Sequence, residues 1–156
     1  APTRATADSN EATARAAAVT AEAAARAAAD GHKPIARLVS YAVAGVPNDV
    51  MGEGPIPASK AALKKGGVTL DQMDVIESNE AFAAQVIPSA DQLGIPWEKL
   101  NVNGGGIALG HPFGMTGARI MTTLLNALED ENKTIGMETM CVGGGQGMAM
   151  IVERLN

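Results

Sequence analysis

The stretch IGMETMCVGGGQGMAMIVE, residues 135–153, decides the fold. Its two ends, 135–142 and 147–153, have the length and the apolar character of β-strands. The glycine-rich residues 143–147 between them are too few for a crossover connection. The two strands are therefore predicted to be antiparallel neighbours in one sheet.

Upstream of this hairpin, strand-like and helix-like segments alternate along the chain. Residues 36–46 and 73–78 are predicted strands because they are short and apolar and contain β-branched side chains. Residues 57–65, 80–93 and 112–130 have the apolar spacing and the proline or glycine signals of helices. The alternation predicts the α/β fold class.

The first 31 residues differ from the rest of the chain in composition. Alanine predominates, and residues 12–29 have a strong helix propensity that ends at Asp30 and Gly31. We therefore treat residues 1–31 as a separate N-terminal segment and residues 32–156 as the folded domain.

Length, charge and residue types narrow the possible functions. A chain of 156 residues, 46% of them hydrophobic, can fill one compact core. The net charge of -5 includes no basic stripe for nucleic acid or for a membrane surface, and we expect neither partner. One cysteine and two histidines allow no internal disulfide and give too few ligands for structural zinc, so we expect no metal.

The sequence also bears on the compartment. No apolar run has the length of a membrane-spanning helix. Asp8 and Glu11 lie where a signal or transit peptide would lack acidic residues. We expect a soluble cytoplasmic protein, with mitochondria or peroxisomes as the alternatives in a eukaryote.

Three unusual loops follow predicted strands, at the edge of the sheet where α/β proteins bind their ligands. The first is NEAFA, residues 79–83. Asn79 is either the N-cap of the following helix or an amide that orients a water molecule or a substrate oxygen.

The second loop is NGGGIALGHPFGMTG, residues 103–117. Its glycines predict positive φ angles and a close approach of the backbone to another group. With Pro112 in the first turn of the next helix, His111 is expected at a helix N-terminus, where the macrodipole favours a neutral imidazole. His111 is either a capping or packing residue or a side chain that polarises a carbonyl or accepts a proton.

The third loop is CVGGGQG, residues 141–147. Cys141 is either an inert packing residue or a reactive thiol, and the glycines after it can direct N–H groups at a developing oxyanion. A phosphate-binding role has less support, because neither glycine-rich loop has the order of a P-loop or the spacing of a dinucleotide-binding fingerprint.

Together the three loops resemble the C-terminal signature motifs of the thiolases. The runs Asn-Glu-Ala-Phe-Ala, Gly-His-Pro-x-Gly-x-x-Gly and Cys-x-Gly-Gly-Gly-x-Gly occur at 79–83, 110–117 and 141–147, in the order of the family. The similarity extends from about Lys33 to Arg154. It implies a mixed five-stranded sheet with helices on both faces, which is one of the two similar halves of a thiolase.

The resemblance implies acyl transfer between CoA thioesters, by Claisen condensation or its thiolytic reverse. His111 would activate a nucleophilic cysteine and, with a water held by Asn79, stabilise the oxygen of the enolate. Cys141 would move the α-proton of acetyl-CoA, and the N–H group of Gly143 would donate to the oxyanion formed at the nucleophile. Ala81 and Phe82 match positions that line the pantetheine passage of CoA.

The resemblance also implies partners and substrates. Thiolases carry the nucleophilic cysteine in an N-terminal half that has no counterpart here, so we expect that half as a partner, within a homo-dimer or tetramer. CoA and acyl-CoA are the implied substrates, with no permanently bound cofactor. The family's CoA-contacting serine has no aligned counterpart in residues 8–15, DSNEATAR.

Two other functions remain open from the sequence. A non-catalytic protein of the same fold would bind CoA esters or act as a scaffold. Alternatively, Cys141 and His111 would form the nucleophile and base of a hydrolase.

Overall fold

The structure is a computed structural model that describes residues 21–22 and 25–155. The chain divides into two compact units between Ile35 and Ala36. In the first unit residues 25–29 are helical, and Arg26 donates to the carboxylate of Glu22 at 2.7 Å. Residues 8–15, where the CoA-contacting serine was sought, lie outside the described residues.

The second unit alternates strands and helices, as the sequence predicts. In chain order its elements are β1 (Ala36–Gly45), α1 (Pro55–Gly66), β2 (Val75–Ser78), α2 (Ala83–Leu93), α3 (Gly106–Leu109), α4 (Thr116–Asp130), β3 (Ile135–Val142) and β4 (Gln146–Arg154). None of the helices in the described part of the chain is both long enough and apolar enough to span a membrane.

The strands form one mixed sheet in the order β1, β4, β3, β2. Strand β4 is antiparallel to β1 and to β3, and β2 is parallel to β3. The antiparallel hairpin predicted from residues 135–153 is therefore confirmed. Because β2 and β3 run in the same direction, their carboxyl ends lie at the same edge of the sheet.

The expected fifth strand is not formed among the described residues. In its place a single parallel bridge joins Ile76 of β2 to Leu100. Residues Trp97–Lys99 form a short 3-10 helix before this bridge, and Asn101 has a φ of 48° directly after it. Neither neighbour has the extended backbone that a strand requires, so the pairing stops after one residue.

Helices cover both faces of the sheet. On one face α1 and α2 pack on buried side chains of the strands, including Ile76, Met137 and Ile151. On the other face α4 contributes Leu124, Ala127 and Leu128, which pack against Val75 and Val152. This is the expected layering, since alternate residues of each strand point to opposite faces.

Two helices begin later than predicted. Helix α2 begins at Ala83 instead of residue 80, and it accommodates Pro88 in its interior. Helix α4 begins at Thr116 instead of residue 112, because the Pro112 carbonyl accepts the N–H groups of Met115 and Thr116 in a preceding turn. His111 consequently lies in a loop before α4 and not at its N-terminus.

Candidate active site

Asn79 lies directly after β2 and is completely buried. Its backbone N–H donates to the Thr139 carbonyl of β3 at 2.9 Å, which extends the parallel pairing by one residue. It is not the N-cap of α2, because Phe82 occupies that position and provides no side-chain cap. The amide of Asn79 is therefore free to point toward the loop that carries His111.

The amide of Asn79 meets His111 across the edge of the sheet. Asn79 Nδ2 lies 3.3 Å from His111 Nε2. On the other side of the ring, His111 Nδ1 lies 2.6 Å from Thr116 Oγ1, in the first turn of α4. The histidine is thus held between the end of β2 and the start of α4.

These contacts favour a proton on Nδ1 of His111. When Thr116 Oγ1 donates its proton to the Pro112 carbonyl, 3.1 Å away, it accepts from His111 Nδ1–H. Nε2 then has a free lone pair, in agreement with the Asn79 amide as donor. A neutral imidazole with an unprotonated Nε2 can accept a proton.

Asn79 also presents an unused acceptor. Its Oδ1 is buried and has no hydrogen-bond partner among the described residues. Because a buried polar atom without a partner is unfavourable, this oxygen is a suitable anchor for a water molecule or a ligand donor. The atom lies close to Gly106, where a Cβ would approach it to 3.3 Å.

Glu80 and Asn101 hold the two loops together beside Asn79. Asn101 exchanges hydrogen bonds with the backbone of Ser78, accepting at 2.8 Å and donating at 3.0 Å. The same amide donates to Glu80 Oε1 at 2.8 Å, and Ile107 N–H of α3 donates to Glu80 Oε2 at 3.0 Å. The end of β2 is thereby fixed to the glycine-rich loop.

The glycines of this second loop are required by that close approach. A Cβ on Gly105 would overlap the carboxyl group of Glu80, and one on Gly106 would come within 2.9 Å of the Glu80 carbonyl. Gly110, directly before His111, has a φ of 94°. The prediction of positive φ and of close backbone approach in this loop is confirmed.

Cys141 is buried near the carboxyl end of β3, opposite Gly147 of β4. It lies two residues beyond Thr139, so both side chains face the α1 side of the sheet. Burial raises the pKa of the Cys141 thiol above its ordinary value, and a backbone hydrogen bond lowers it in part. The thiol form, which can give up a proton, therefore predominates at neutral pH.

Gly143 follows in the turn between β3 and β4. Its surroundings are open, with no group close enough to meet an added Cβ. Other glycines hold the turn in place. Gly145 has a φ of 75°, and its carbonyl accepts the Val46 N–H at 2.7 Å. Gly147 packs against Gly54, because a Cβ at position 147 would overlap the Gly54 carbonyl. Gly143 itself is exposed in this turn.

The structure brings only part of the predicted site into direct contact. Asn79 touches His111, whereas in the described part of the chain no hydrogen bond joins Cys141 or Gly143 to either of them. What these residues share is the edge of the sheet at the carboxyl ends of β2 and β3.

Ala81 and Phe82 lie at the rim of this edge. Ala81 is half-buried, whereas Phe82 is 73% exposed, which is unusual for so large an apolar side chain. Phe113 beside His111 is also exposed and meets the imidazole edge to face, with ring centroids 5.0 Å apart. Apolar surface around the polar pair suits a ligand with an apolar portion.

Ionisable side chains also lie beneath α4. Glu77 of β2 is completely buried, and its Oε2 lies 3.5 Å from Arg119 Nη1. Burial raises the pKa of Glu77 to about 7 against the opposing effect of Arg119, and burial likewise raises the pKa of Glu138 to about 7. Glu77 and Glu138 are register partners on β2 and β3, so the two carboxyl groups lie side by side.

Sequence reasoning missed several of these residues. Glu80, Asn101 and Thr116 position the site through hydrogen bonds across 21, 23 and 5 residues of chain, respectively. Thr116 lies within the glycine-rich motif, five residues after His111. This short separation in sequence is the one signal that could have identified it. In the described residues no cluster of three or more His, Cys, Asp or Glu side chains could hold a metal ion.

Comparison with known proteins agrees with this architecture. The family model "Thiolase, C-terminal domain" matches residues 32–154. The chain is 56% identical over 128 residues to an acetyl-CoA acetyltransferase of Escherichia coli (strain K12), which covers 82% of this chain and 32% of that protein. It is 53% identical over 128 residues to a 3-ketoacyl-CoA thiolase of Enterobacter sp. (strain 638), covering 80% and 33%, respectively.

A solved structure gives the same result. The Bacillus anthracis acetyl-CoA acetyltransferase superposes with a TM-score of 0.81 at 45% identity, over 83% of this chain and 33% of that one. The chain belongs to the thiolase family, in the part that forms its C-terminal domain. It spans about a third of the length of these relatives. The predicted family and the thiolase-like α/β fold are confirmed, apart from the number of strands.

Proposed function

We propose that this chain supplies the oxyanion and proton-transfer groups of an acyltransferase acting on CoA thioesters, joined to an N-terminal half that carries the nucleophilic cysteine. The observation that supports this most strongly is the contact of Asn79 with His111, at the edge of the sheet where β3 also carries Cys141. The relatives named as acetyl-CoA acetyltransferase and 3-ketoacyl-CoA thiolase support the substrate class.

In this proposal His111 acts first as a base. Its unprotonated Nε2 takes the proton of the nucleophilic thiol, while Nδ1–H stays bonded to Thr116. The resulting Nε2–H then donates to the oxygen of the enolate. The contact with Asn79 at 3.3 Å is long for a hydrogen bond, so little is lost when it is given up.

Asn79 acts on the same oxygen through a water molecule. A water that donates one proton to the vacant Oδ1 of Asn79 has its second proton available for the enolate. Two donors that are fixed before the reaction stabilise the developing charge at little reorganisation cost. This requirement is severe because the α-proton of a thioester is weakly acidic.

Cys141 moves the α-proton. In cleavage the protonated thiol gives its proton to the leaving acetyl carbanion, and in synthesis the thiolate removes the same proton. The raised pKa of Cys141 favours the form required for cleavage. The Gly143 N–H donates to the other oxyanion, at the acylated cysteine, and Ala81 and Phe82 line the pantetheine passage.

Several properties of the complete protein belong to the same proposal. CoA and acyl-CoA are its substrates, no cofactor is permanently bound, and the chain works within a homo-dimer or tetramer. Exposed apolar side chains around the site, including Phe82, Ile107 and Phe113, support a surface that other parts of the assembly or the substrate cover. A cytoplasmic location, with no membrane or nucleic-acid partner, completes the proposal.

The test uses the complete protein that contains this domain, with thiolysis of acetoacetyl-CoA as the assay. His111→Ala should lower kcat by about 10³-fold and Asn79→Ala by about 10²-fold, as expected for loss of a base and of an oxyanion donor. His32→Ala, which changes the other, exposed histidine, is the matched control and should retain activity.

A folded wild-type protein without thiolysis activity would refute the proposal and favour a CoA-binding or scaffold role. Calorimetric titration with CoA would then separate those two functions, because a scaffold should show no heat of binding.

A further inference from the structure

The buried ion pair beneath α4 has no part in the chemistry proposed above. Arg119 and Glu77 approach to 3.5 Å, with side chains 13% and 0% exposed. Apart from this contact, the charged atoms of both residues have no hydrogen-bond partner among the described residues. A buried pair with so few hydrogen bonds contributes little stability compared with an apolar pair of the same size, so stability alone does not account for it.

The position of the pair relates it to the site. Glu77 lies on β2 two residues before Asn79, which directly follows the strand. Arg119 lies on α4 three residues after Thr116, which is one helical turn. The ion pair therefore joins the strand that carries Asn79 to the helix whose first residue holds His111.

These contacts connect β2, His111 and α4 in a closed series. Asn79 meets His111 at 3.3 Å, His111 bonds to Thr116 at 2.6 Å, α4 leads to Arg119, and Arg119 returns to Glu77 on β2. Between Asn79 and Thr116 the chain runs through α2, a short 3-10 helix, α3 and the loops that connect them, so covalent connection alone does not fix the distance between β2 and α4.

We propose that Arg119 and Glu77 are positioning residues for the acyl-transfer site. Their ion pair sets α4, and with it Thr116 and His111, against the end of β2 that carries Asn79. This inference rests on the proposed function. A displacement of about 1 Å at a reacting pair can cost on the order of 10²-fold in rate, so a contact that controls this spacing affects turnover without touching the substrate.

Two features support Glu77 as the partner of Arg119. Arg119 lowers the pKa of Glu77 against the effect of burial, whereas burial is the only cause of the raised pKa of Glu138. Of these two glutamates, Glu77 lies on β2, the strand that leads to Asn79, whereas Glu138 lies on β3.

The experiment measures thiolysis kinetics of the complete protein carrying Arg119→Met. We expect kcat to fall by about 10- to 100-fold with KM for the acyl-CoA nearly unchanged, because the substrate-binding surface is intact. Arg119→Lys, which keeps a cation, should return kcat to within about fivefold of wild type. Arg37→Met, which breaks the surface ion pair between Arg37 and Glu153, is the control and should keep wild-type kinetics.

A double-mutant cycle distinguishes positioning from general weakening. If Arg119 acts by placing Asn79 and His111, Arg119→Met should cost less than about threefold further when Asn79 is already alanine. If Arg119→Met destabilises the protein too far to assay, the double variant Glu77→Gln, Arg119→Met replaces it in the cycle. This variant removes both charges of the pair, so neither is left buried without its counterion.

Two results would overturn the inference. One is a kcat within twofold of wild type in folded Arg119→Met, or in the combined variant where that is used. The other is that Arg119→Met lowers kcat by the same factor in the Asn79→Ala protein as in the wild type, so that the two losses multiply. These outcomes are separate from failure of the proposed function, in which His111→Ala and Asn79→Ala themselves leave activity intact.

Discussion

At the scale of single residues, His111 takes its properties from two hydrogen-bonding neighbours. The motif indicates that the histidine is important, but it does not show which ring nitrogen is protonated. Thr116 favours Nδ1, because a hydroxyl that donates its proton to the Pro112 carbonyl accepts from Nδ1–H. The expected influence of a helix N-terminus is absent, since α4 begins five residues after His111.

Replacing Thr116 by valine tests this assignment. Valine keeps the shape but removes the oxygen that accepts from Nδ1–H, so the other tautomer becomes available and kcat for thiolysis should fall by about 10-fold or more. Thr116→Ser should retain most of the activity.

Thr122→Val is the matched control on the same helix, because the Thr122 hydroxyl is exposed and, among the described residues, bonds only to the Ala118 carbonyl. Wild-type kcat in Thr116→Val would contradict the role of the hydroxyl.

At the scale of elements, the sequence predicts best what depends on local periodicity. The hairpin of β3 and β4 and the alternation of strands and helices follow from apolar spacing and from glycine-rich turns. The missing fifth strand and the late start of α4 do not, because each depends on how a few backbone groups bond after folding. The turn at Pro112 and the left-handed Asn101 have no periodic signal.

The candidate site is likewise only partly predictable from the sequence. Asn79, His111 and Cys141 are identified by their motifs, and the structure brings the first two together. Glu80, Asn101, Glu77 and Arg119 were missed because their partners are distant in sequence. The bridge of Leu100 to Ile76 brings Asn101 to Glu80, and the packing of α4 on the sheet brings Arg119 to Glu77.

The buried carboxyl group of Glu77 makes the free energy of unfolding dependent on pH. Its folded pKa of about 7 lies above the ordinary 4.5, so between those values the folded state holds a proton that the unfolded state has released. Folding stability should therefore fall as pH rises from 4.5 to 7, by at most about 3 kcal/mol from this residue.

Urea unfolding of the complete protein at several pH values measures this slope. Glu77→Gln should make this slope shallower, with the contribution of the buried Glu138 remaining, whereas Glu131→Gln, which changes an exposed side chain, should leave it unchanged. A slope that is the same in Glu77→Gln and in the wild type would contradict the assignment.

At the scale of the whole molecule, this chain spans about a third of the length of its relatives, and we propose that it holds only part of the active site. The part described here contains the histidine and asparagine that suit an enolate oxygen and the buried thiol that suits a proton. The nucleophilic cysteine is expected in the remaining part. We propose that Cys141 transfers the α-proton and does not form the acyl-enzyme.

Exchange of the α-protons of acetyl-CoA with deuterated water tests that claim most directly, in the complete protein with Cys141→Ala. Acyl-enzyme formation from acetyl-CoA, followed by the exchange of labelled CoA, is measured in parallel. We expect α-proton exchange to fall by at least about 10²-fold while CoA exchange stays within a few-fold of wild type. Wild-type α-proton exchange in Cys141→Ala would contradict it.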